Sequence, residues 1–471
     1  MGESGAVPHV LIFPFPAQGH INSMLKLAEL FVSLTNFHVT FLNSEHNHKR
    51  LGLRADSLLE RVHFEAITDG LPECHPRSAD RIMDLFDSLK ARTKPIFREM
   101  LREKAKRGEP PVTCVIGDAI LSFILEIGEE VGVPVIAFRT VSACSLWAYF
   151  SIPWLIDARV LPIPEGADMD QTVTCVPGME GLLRLRDLPS FCRERDISNP
   201  GLQLVQNETR HTVKARTLIL NTFEALEGQT LNQIRKHCKT VRAIGPLHAL
   251  LRAQGPKAPP LFPSMSLWLE DRSCLTWLDS QAPGSVLYVS FGSYTVISRR
   301  QLTEFCYGIV NSGKPFLWVI RPDLLDGEEA VLPEELALQA EAQGRFVKWA
   351  PQEEVLHHPA VVGFLTHSGW NSTLESLEAG VPMLCWSFFA DQQVNSRFVE
   401  GVWGVGLDMK DVCDRVVVEH KVRELVGNEG PRRAARAMAE RVRESVNPGG
   451  SSFMEFEELI DDIRSMRACT L

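Results

Sequence analysis

Short apolar runs recur along the whole chain, and they alternate with longer stretches in which apolar residues return at helical spacing. Continuous apolar runs of this length are typical of strands buried on both faces of a parallel sheet. Their alternation with helices predicts an α/β protein whose parallel sheets are covered by helices on both sides. We predict strands at 9–13, 37–42, 62–67, 113–117, 134–138, 217–221, 286–291, 316–320, 345–348, 361–366 and 382–386.

A segment rich in proline and glycine separates the two halves of this pattern. Residues 246–266 contain QGPKAPPLFPS and show no apolar periodicity, which is typical of a linker. We therefore predict one Rossmann-like domain over 1–245, a second over 267–450, and a helical C-terminal segment over 451–471. Two doubly wound domains that face one another would place a ligand cleft between them, at the carboxyl ends of their strands.

Composition narrows the class of protein. The chain has 471 residues, 45% hydrophobic and 23% charged, as expected for a globular enzyme of two or three domains. Its net charge of −10 argues against nucleic acid as the main partner. Eleven cysteines without CxxC spacing indicate reduced thiols, and the N-terminal apolar run is too short and proline-broken for a signal peptide. We expect a cytoplasmic monomer without an integral membrane segment.

The most informative stretch runs from Trp349 to Gln392. Trp349 follows the predicted strand 345–348, and Pro351 then disfavours helix for the residue before it. An aromatic ring in that place can stack on a nucleobase, while Gln352 can read the polar edge of the base by hydrogen bonds. This part of the chain therefore has the chemistry of a nucleotide site.

The same stretch continues with the elements of an anion site. After the predicted strand 361–366 comes HSGWNST, a glycine turn that leads into a helix. The N–H groups and the positive dipole end of such a helix favour a phosphate. Further along stand polar side chains able to bind a diphosphate, a ribose or a sugar: His367, Asn371, Ser372, Glu375, Asp391 and Gln392.

From its opening Trp to its closing Gln, this stretch resembles the signature box of the plant secondary-product UDP-glycosyltransferases. The resemblance covers essentially the whole chain, and the second half most resembles the branch with terpenoid, iridoid and cyanohydrin glucosyltransferases. It implies the GT-B fold, with two facing Rossmann-like domains, an interdomain cleft and a C-terminal helix that packs back on the first domain. It also implies UDP-glucose as co-substrate, no metal and no tightly bound cofactor.

The resemblance assigns roles to individual positions. It implies that Trp349 stacks on uracil while Gln352 contacts the edge of the base. It implies that His367, with Asn371 and Ser372, binds the diphosphate, and that Glu375 binds the ribose. The sugar would be held by Trp370, Asp391 and Gln392. One departure is Ser368, which replaces the family's usual Cys at a position without a contact role.

The N-terminal segment supplies a candidate catalytic pair. His20 lies where the loop after strand 9–13 enters a helix, and Asp118 directly follows strand 113–117. A neutral imidazole can take a proton from an acceptor hydroxyl, and a carboxylate can orient the ring. Spacing alone favours helix capping for Asp118. The family's catalytic His lies in the same type of loop and its Asp after an equivalent strand, so the resemblance favours the catalytic role.

Two further positions are candidate donor contacts. Ser293 opens a glycine turn after strand 286–291, where its N–H and hydroxyl can meet a phosphate. Thr140 resembles the family Thr that contacts a sugar hydroxyl. The acceptor pocket is expected from loops of the first domain, and its predicted walls are Phe15, Met83, Phe86, Leu121, Trp147, Phe150 and Phe389.

Three functions are therefore in competition. The first is an inverting, metal-independent transfer of glucose to a small lipophilic alcohol or phenol, such as a terpenoid or flavonoid. The second is a nucleotide-dependent dehydrogenase, although no GxGxxG turn with a correctly spaced acidic residue is present. The third is a catalytically inactive binder of sugar nucleotides, which would require a lost base, and both His20 and Asp118 are present.

Overall fold

The computed structural model describes residues 7–51, 62–107, 110–255, 266–325 and 332–466. The chain divides into two compact units. The first unit comprises Met1–Pro153, Asp196–Leu267 and Glu444–Leu471, and the second comprises Trp154–Arg195 and Trp268–Arg443.

The strands of the described residues, in chain order, are β1 His9–Phe13, β2 His38–Ser44, β3 Val62–Ile67, β4 Cys114–Asp118, β5 Val135–Arg139, β6 Thr217–Leu220, β7 Val241–Ala243, β8 Val286–Ser290, β9 Phe316–Val319, β10 Gly344–Val347, β11 Val361–Thr366, β12 Met383–Cys385 and β13 Gly406–Asp408.

The α-helices of the described residues are α1 Gln18–Leu34, α2 Glu45–Arg50, α3 Ile82–Ser88, α4 Lys94–Arg107, α5 Phe123–Val131, α6 Ala143–Phe150, α7 Ile152–Asp157, α8 Pro200–Thr212, α9 Glu224–Ile234, α10 Leu247–Ala253, α11 Ser273–Asp279, α12 Arg299–Asn311, α13 Glu334–Gln343, α14 Gln352–Leu356, α15 Trp370–Ala379, α16 Gln392–Gly401, α17 Arg415–Gly427, α18 Glu429–Val446 and α19 Ser451–Ser465. No helix among the described residues is long and apolar enough to cross a membrane.

The first unit is built on a parallel sheet with the order β3-β2-β1-β4-β5-β6-β7. Residues of β1 pair with β2 on one side and with β4 on the other. The strand order reverses between β1 and β4, and in open α/β sheets ligands bind beyond the carboxyl ends of the strands at such a switch point. This unit therefore offers a site after β1 and β4.

The second unit has a parallel sheet with the order β10-β9-β8-β11-β12-β13. Here the order reverses between β8 and β11, which pair directly. The inner strands are mainly apolar, as expected of strands covered on both faces, and every residue of β8 is buried. The second switch point therefore lies after β8 and β11, where the glycine turn and the helix start of the signature box were predicted.

The predicted α/β architecture with parallel sheets is confirmed, and all eleven predicted strands are present with bounds within two residues of the prediction. Two strands were missed, β7 and β13. Each has three residues, and each carries a charged side chain, Arg242 or Asp408. Such runs are too short and too polar to stand out by apolar pattern.

The division of the chain differs from the predicted one at two places. Residues 154–195 were assigned to the first domain, but they group with the second unit because their contacts lie there. The predicted linker 246–266 contains helix α10, which packs on α1 within the first unit. Residues 256–265 of that linker lie outside the described residues.

The C-terminal helix α19 belongs to the first unit and packs beside β7. The ring of Phe456 stacks on Phe31 of α1, with 5.7 Å between ring centroids. Arg242 of β7 makes ion pairs with three acidic residues of α19: Glu455, Glu458 and Asp462. A buried aromatic contact with α1 and ion pairs with β7 thus attach this last helix to the first unit.

Candidate active site

His20 and Asp118 meet at the switch point of the first sheet. His20 lies in the first turn of α1, which follows β1, and Asp118 is the last residue of β4. Nδ1 of His20 lies 2.6 Å from Oδ2 of Asp118. The carboxylate side chain is fully buried, while the imidazole is 23% exposed. A buried carboxylate on Nδ1 makes that nitrogen the N–H donor and leaves Nε2 with the lone pair.

Backbone groups hold the Asp118 carboxylate in this orientation. The N–H of Phe15 donates to Oδ2 at 3.1 Å, and the N–H of Ile120 donates to Oδ1 at 3.2 Å. Burial by itself raises the pKa of Asp118, but His20 and these two N–H donors outweigh it and hold the pKa below its ordinary value. Thr140 adds its hydroxyl 2.9 Å from Nδ1 of His20. Asp118 therefore remains an anion that can stabilise an imidazolium.

The predicted acceptor-pocket residues form more than one group. Phe15 stacks on Phe86 with 4.8 Å between centroids, and its ring lies 5.2 Å from that of His20. Trp147 and Phe150 instead contact His237, at 5.5 and 6.3 Å. Phe15 thus lies beside His20 with Phe86 stacked on it, whereas Trp147 and Phe150 share a contact with His237.

The remaining three predicted pocket residues are distributed over both units. Met83 is half-buried on α3, and Leu121 is buried just after β4. Phe389 is half-buried in the second unit, where its ring meets Phe191 edge-on at 5.1 Å.

The second switch point holds His367 between two glycines. Gly292 follows β8 in the left-handed region with φ +70°, and a Cβ there would lie 2.5 Å from the His367 ring. A Cβ at Gly369 would lie 2.4 Å from Nε2 of the same ring. Helix α15 starts directly after Gly369. Backbone N–H groups at the N-terminus of a helix can bind an anion. Ser293 follows Gly292 in the same turn after β8.

A buried arginine that the sequence analysis missed organises this turn. Arg321 is 3% exposed and donates to the carbonyl of Gly292 at 2.5 Å and to the carbonyl of Thr295. Its Nε also donates to Asp323 at 2.7 Å. Burial, and then the positive charge of Arg321, lowers the pKa of His367 to about 4, although the backbone of Ser290 acts in the opposite sense. The imidazole of His367 is therefore neutral near pH 7.

The base and ribose candidates are joined in one network. The amide nitrogen of Gln352 donates to Oγ of Ser372 at 2.9 Å and to Glu375 at 2.6 Å. Its amide oxygen accepts from the hydroxyl of Tyr288 at 3.2 Å. Trp349, half-buried, has Trp268 stacked beside it with 6.2 Å between centroids. Residues predicted to contact uracil, diphosphate and ribose thus lie together.

Two of the three sugar candidates, Asp391 and Gln392, lie after β12 where α16 begins, and the third, Trp370, is the first residue of α15. The side-chain amide of Gln392 has the groups to accept from one sugar hydroxyl and to donate to another. Its Oε1 instead accepts from the N–H groups of Phe388 and Phe389, at 2.8 and 2.9 Å. Only its NH₂ group is left to face a sugar. Asp391 accepts from Asn395 at 2.8 Å.

Trp370 and Asn371 open helix α15 beside His367. The Trp370 ring is buried and packs near Trp403, with 6.2 Å between ring centroids. Its backbone, rather than its ring, therefore lies at the helix start. Ser368 precedes them with φ +65°, and it is fully buried. Trp370 and Asn371 thus lie with His367 at the start of one helix.

Comparison with known proteins identifies the family. The family described as "UDP-glucoronosyl and UDP-glucosyl transferase" matches residues 269–430. The chain is 51% identical to a 7-deoxyloganetic acid glucosyltransferase of Catharanthus roseus, over 98% of this chain and 99% of that protein. It is 45% identical to a myricetin 3-O-rhamnoside 1,2-glucosyltransferase of Crocosmia x crocosmiiflora, over 99% and 98%.

Solved structures agree with this relation. A UDP-glucose: anthocyanidin 3-O-glucosyltransferase in complex with UDP superposes with a TM-score of 0.83 at 26% identity, over 97% of this chain and 99% of that one. The chain belongs to the family 1 UDP-glycosyltransferases and is an enzyme of the glycosyltransferase class. The GT-B fold expected from the sequence is confirmed.

Proposed function

We propose that this enzyme transfers glucose from UDP-glucose to a hydroxyl of a small lipophilic acceptor, with inversion and without a metal. The observation that carries the proposal is the His20–Asp118 contact of 2.6 Å, because it provides a base oriented for proton abstraction. The helix start beside His367 supports the donor side of the same reaction.

In the proposed reaction, Nε2 of His20 takes the proton of the acceptor hydroxyl. The acceptor oxygen then attacks the anomeric carbon, and the bond from that carbon to the UDP oxygen breaks with its electron pair. Attack from the face opposite UDP converts an α-linked donor into a β-glucoside. Asp118 stabilises the imidazolium that forms, since its carboxylate stays ionised and buried on Nδ1.

The leaving diphosphate would be bound by the first turn of α15, with Asn371 and Ser372, by His367 and by Ser293. Backbone N–H groups at a helix N-terminus and neutral side-chain donors can hold a diphosphate without a cation. We propose that Trp349 stacks on uracil on the ring face away from Trp268. Gln352 and Glu375 would exchange their mutual hydrogen bond for contacts to uracil and ribose.

Glucose is the proposed sugar because of the groups around Gln392. Its NH₂ group can donate to one hydroxyl, Asp391 can accept from others, and the N–H of Trp370 can donate further. Thr140, whose hydroxyl lies beside His20, is a further proposed contact of the sugar. An axial 4-hydroxyl, as in galactose, would leave one of these buried partners unpaired, which costs about 1–3 kcal/mol.

The proposed acceptor is a terpenoid-type alcohol, in line with the 7-deoxyloganetic acid glucosyltransferase at 51% identity. A phenolic acceptor is the second candidate, since the relative at 45% identity acts on a myricetin rhamnoside. Phe15 and Phe86, which stack near His20, would form part of the apolar wall. The dehydrogenase and the inactive binder are not favoured.

We also propose that the enzyme acts as a cytoplasmic monomer with an N-terminal acceptor domain and a C-terminal donor domain. The test of the function is an acceptor panel of terpenoid alcohols, terpenoid acids, flavonoids and simple phenols, incubated with UDP-glucose with and without EDTA. Mass spectrometry should detect glucosides in equal yield in both series. Activity lost to EDTA and restored by Mg²⁺ or Mn²⁺ would refute the metal-free donor site.

A further inference from the structure

Two segments that are far apart in sequence meet next to the sugar candidates of the second unit. One is residues 182–193, hereafter the clamp segment, which belongs to the part of the chain that was predicted to lie in the first domain. The other is residues 387–392, hereafter the sugar loop, which ends in Asp391 and Gln392. Ser190 of the clamp segment and Ala390 of the sugar loop are the point of contact.

Ser190 binds the backbone of Ala390 on both sides. The N–H of Ser190 donates to the carbonyl of Ala390 at 2.9 Å, and the N–H of Ala390 donates to Oγ of Ser190 at 2.8 Å. Ala390 has φ +57°, in the left-handed region that residues with a Cβ disfavour. The two bonds therefore hold a conformation that the loop would not favour by itself.

That conformation sets the direction of the next two side chains. Asp391 and Gln392 follow Ala390 directly, and Gln392 is tied back into the same loop through Phe388 and Phe389. The edge-on contact of Phe191 with Phe389 adds an apolar link between the two segments. A rotation at Ala390 would thus displace both groups proposed to bind the sugar.

The clamp segment is itself anchored by buried charges. Asp187 is fully buried, and its carboxylate lies 2.7 Å from Nζ of Lys410 and 2.8 Å from Nε of Arg184. Lys410 is 4% exposed and also donates to the carbonyl of Gln393, at 2.9 Å. Arg397 of α16 donates to the carbonyl of Leu182 at 2.9 Å. The segment is therefore fixed to the same helix that starts at Gln392.

We propose that Ser190 is a positioning residue for the donor sugar, which acts by holding Ala390 so that Asp391 and Gln392 face the sugar hydroxyls. This inference rests on the proposed function, since it assigns those two residues to the sugar. The proposal separates sugar recognition from nucleotide recognition. The clamp segment supports the sugar loop, while uracil and diphosphate are proposed to bind at Trp349, Gln352 and the start of α15.

The test compares Ser190→Ala with Ser190→Thr, which keeps the hydroxyl. The matched control is Ser285→Ala, which removes an exposed hydroxyl that donates to the carbonyl of Ala282 at 2.6 Å in the same unit. Calorimetry would measure the Kd of each protein for UDP-glucose, UDP-galactose and UDP. Thermal unfolding would show whether each variant remains folded.

We expect Ser190→Ala to weaken UDP-glucose binding by about three- to tenfold, the scale of one lost hydrogen bond, with UDP binding within about twofold of wild type. Its preference for UDP-glucose over UDP-galactose should shrink, while Ser190→Thr and Ser285→Ala should resemble wild type. Equal loss of UDP and UDP-glucose binding, or no change in either, would overturn this inference alone. A wild-type protein that does not bind UDP-glucose would overturn the proposed function as well.

Discussion

His20 lies at the start of helix α1 and Asp118 at the end of strand β4, yet Nδ1 of His20 lies 2.6 Å from Oδ2 of Asp118. The pair lies at the point where the strand order reverses, since α1 follows β1 and Asp118 ends β4. Parallel pairing of Phe13 with Gly117 brings these strand ends side by side. The geometry thus follows from the sheet topology and not from local sequence.

The first prediction concerns His20 as the base. His20→Ala should lower kcat by at least about a hundredfold on an aliphatic alcohol, the usual scale for a positioned general base. UDP affinity should be unchanged, because the nucleotide candidates belong to the second unit. His63→Ala is the control, because His63 is an exposed histidine of the first unit with a carboxylate partner, Glu65, at 3.4 Å. Near-normal turnover by His20→Ala would refute the assignment.

The second prediction concerns the turn at Gly292. Gly292→Ala places a Cβ at 2.5 Å from the His367 ring, whereas Gly284 has a similar φ of +64° with open space around it. Both substitutions should cost about 1–2 kcal/mol of unfolding free energy for the left-handed backbone. Gly292→Ala should in addition weaken UDP binding, because His367 must move. Equal UDP affinity in the two variants, measured by calorimetry, would show that the ring is not part of the diphosphate site.

The third prediction isolates the sugar-facing group of Gln392. Gln392→Glu keeps an acceptor oxygen for the N–H groups of Phe388 and Phe389 and removes the NH₂ donor. The KM for UDP-glucose should rise about tenfold, as for one lost hydrogen bond, and UDP should still bind. Gln281→Glu makes the same change at a half-buried position after α11 and should leave KM unaltered. An unchanged KM in Gln392→Glu would argue against sugar contact by this residue.

The fourth prediction concerns the pH dependence of stability. The pKa of His367 is lowered to about 4 in the folded protein, so between pH 6.5 and 4 the unfolded chain binds a proton that the folded chain does not. His367 therefore makes stability fall as the pH decreases through that window. Denaturant unfolding of wild type and His367→Gln at several pH values should show a smaller dependence in the variant. An equal pH dependence of stability in the two proteins would contradict a neutral, partly buried imidazole at His367.

Much of the fold was readable from the sequence because buried parallel strands are continuous apolar runs. The strands 9–13, 62–67 and 361–366 have the predicted bounds. The exceptions have a physical reason. In the three-residue strand β7, Arg242 forms ion pairs with acidic residues of α19. These acidic residues are more than 200 positions away, so no local pattern reveals them.

The candidate site was predictable where a motif concentrates it and not where folding brings distant residues together. His367 and Gln392 lie within one stretch, so their neighbourhood could be read along the chain. Arg321 acts through carbonyls of a turn some 26 positions before it, as its bond to Thr295 shows. The local signal was a charged residue directly after the predicted apolar strand 316–320. Ser190 meets Ala390 across 200 positions, and nothing in the sequence marks that contact.

The most direct test of the account is a competition assay with equal UDP-glucose, UDP-galactose and UDP-glucuronic acid and the best acceptor from the panel. Mass spectrometry would identify the sugar transferred, and proton NMR of the product would give its anomeric configuration. The account predicts a β-glucoside as the main product. Inversion of an α-linked donor gives the β configuration, and the groups around Gln392 favour glucose. A main product that is a galactoside, a glucuronide or an α-glucoside would contradict it.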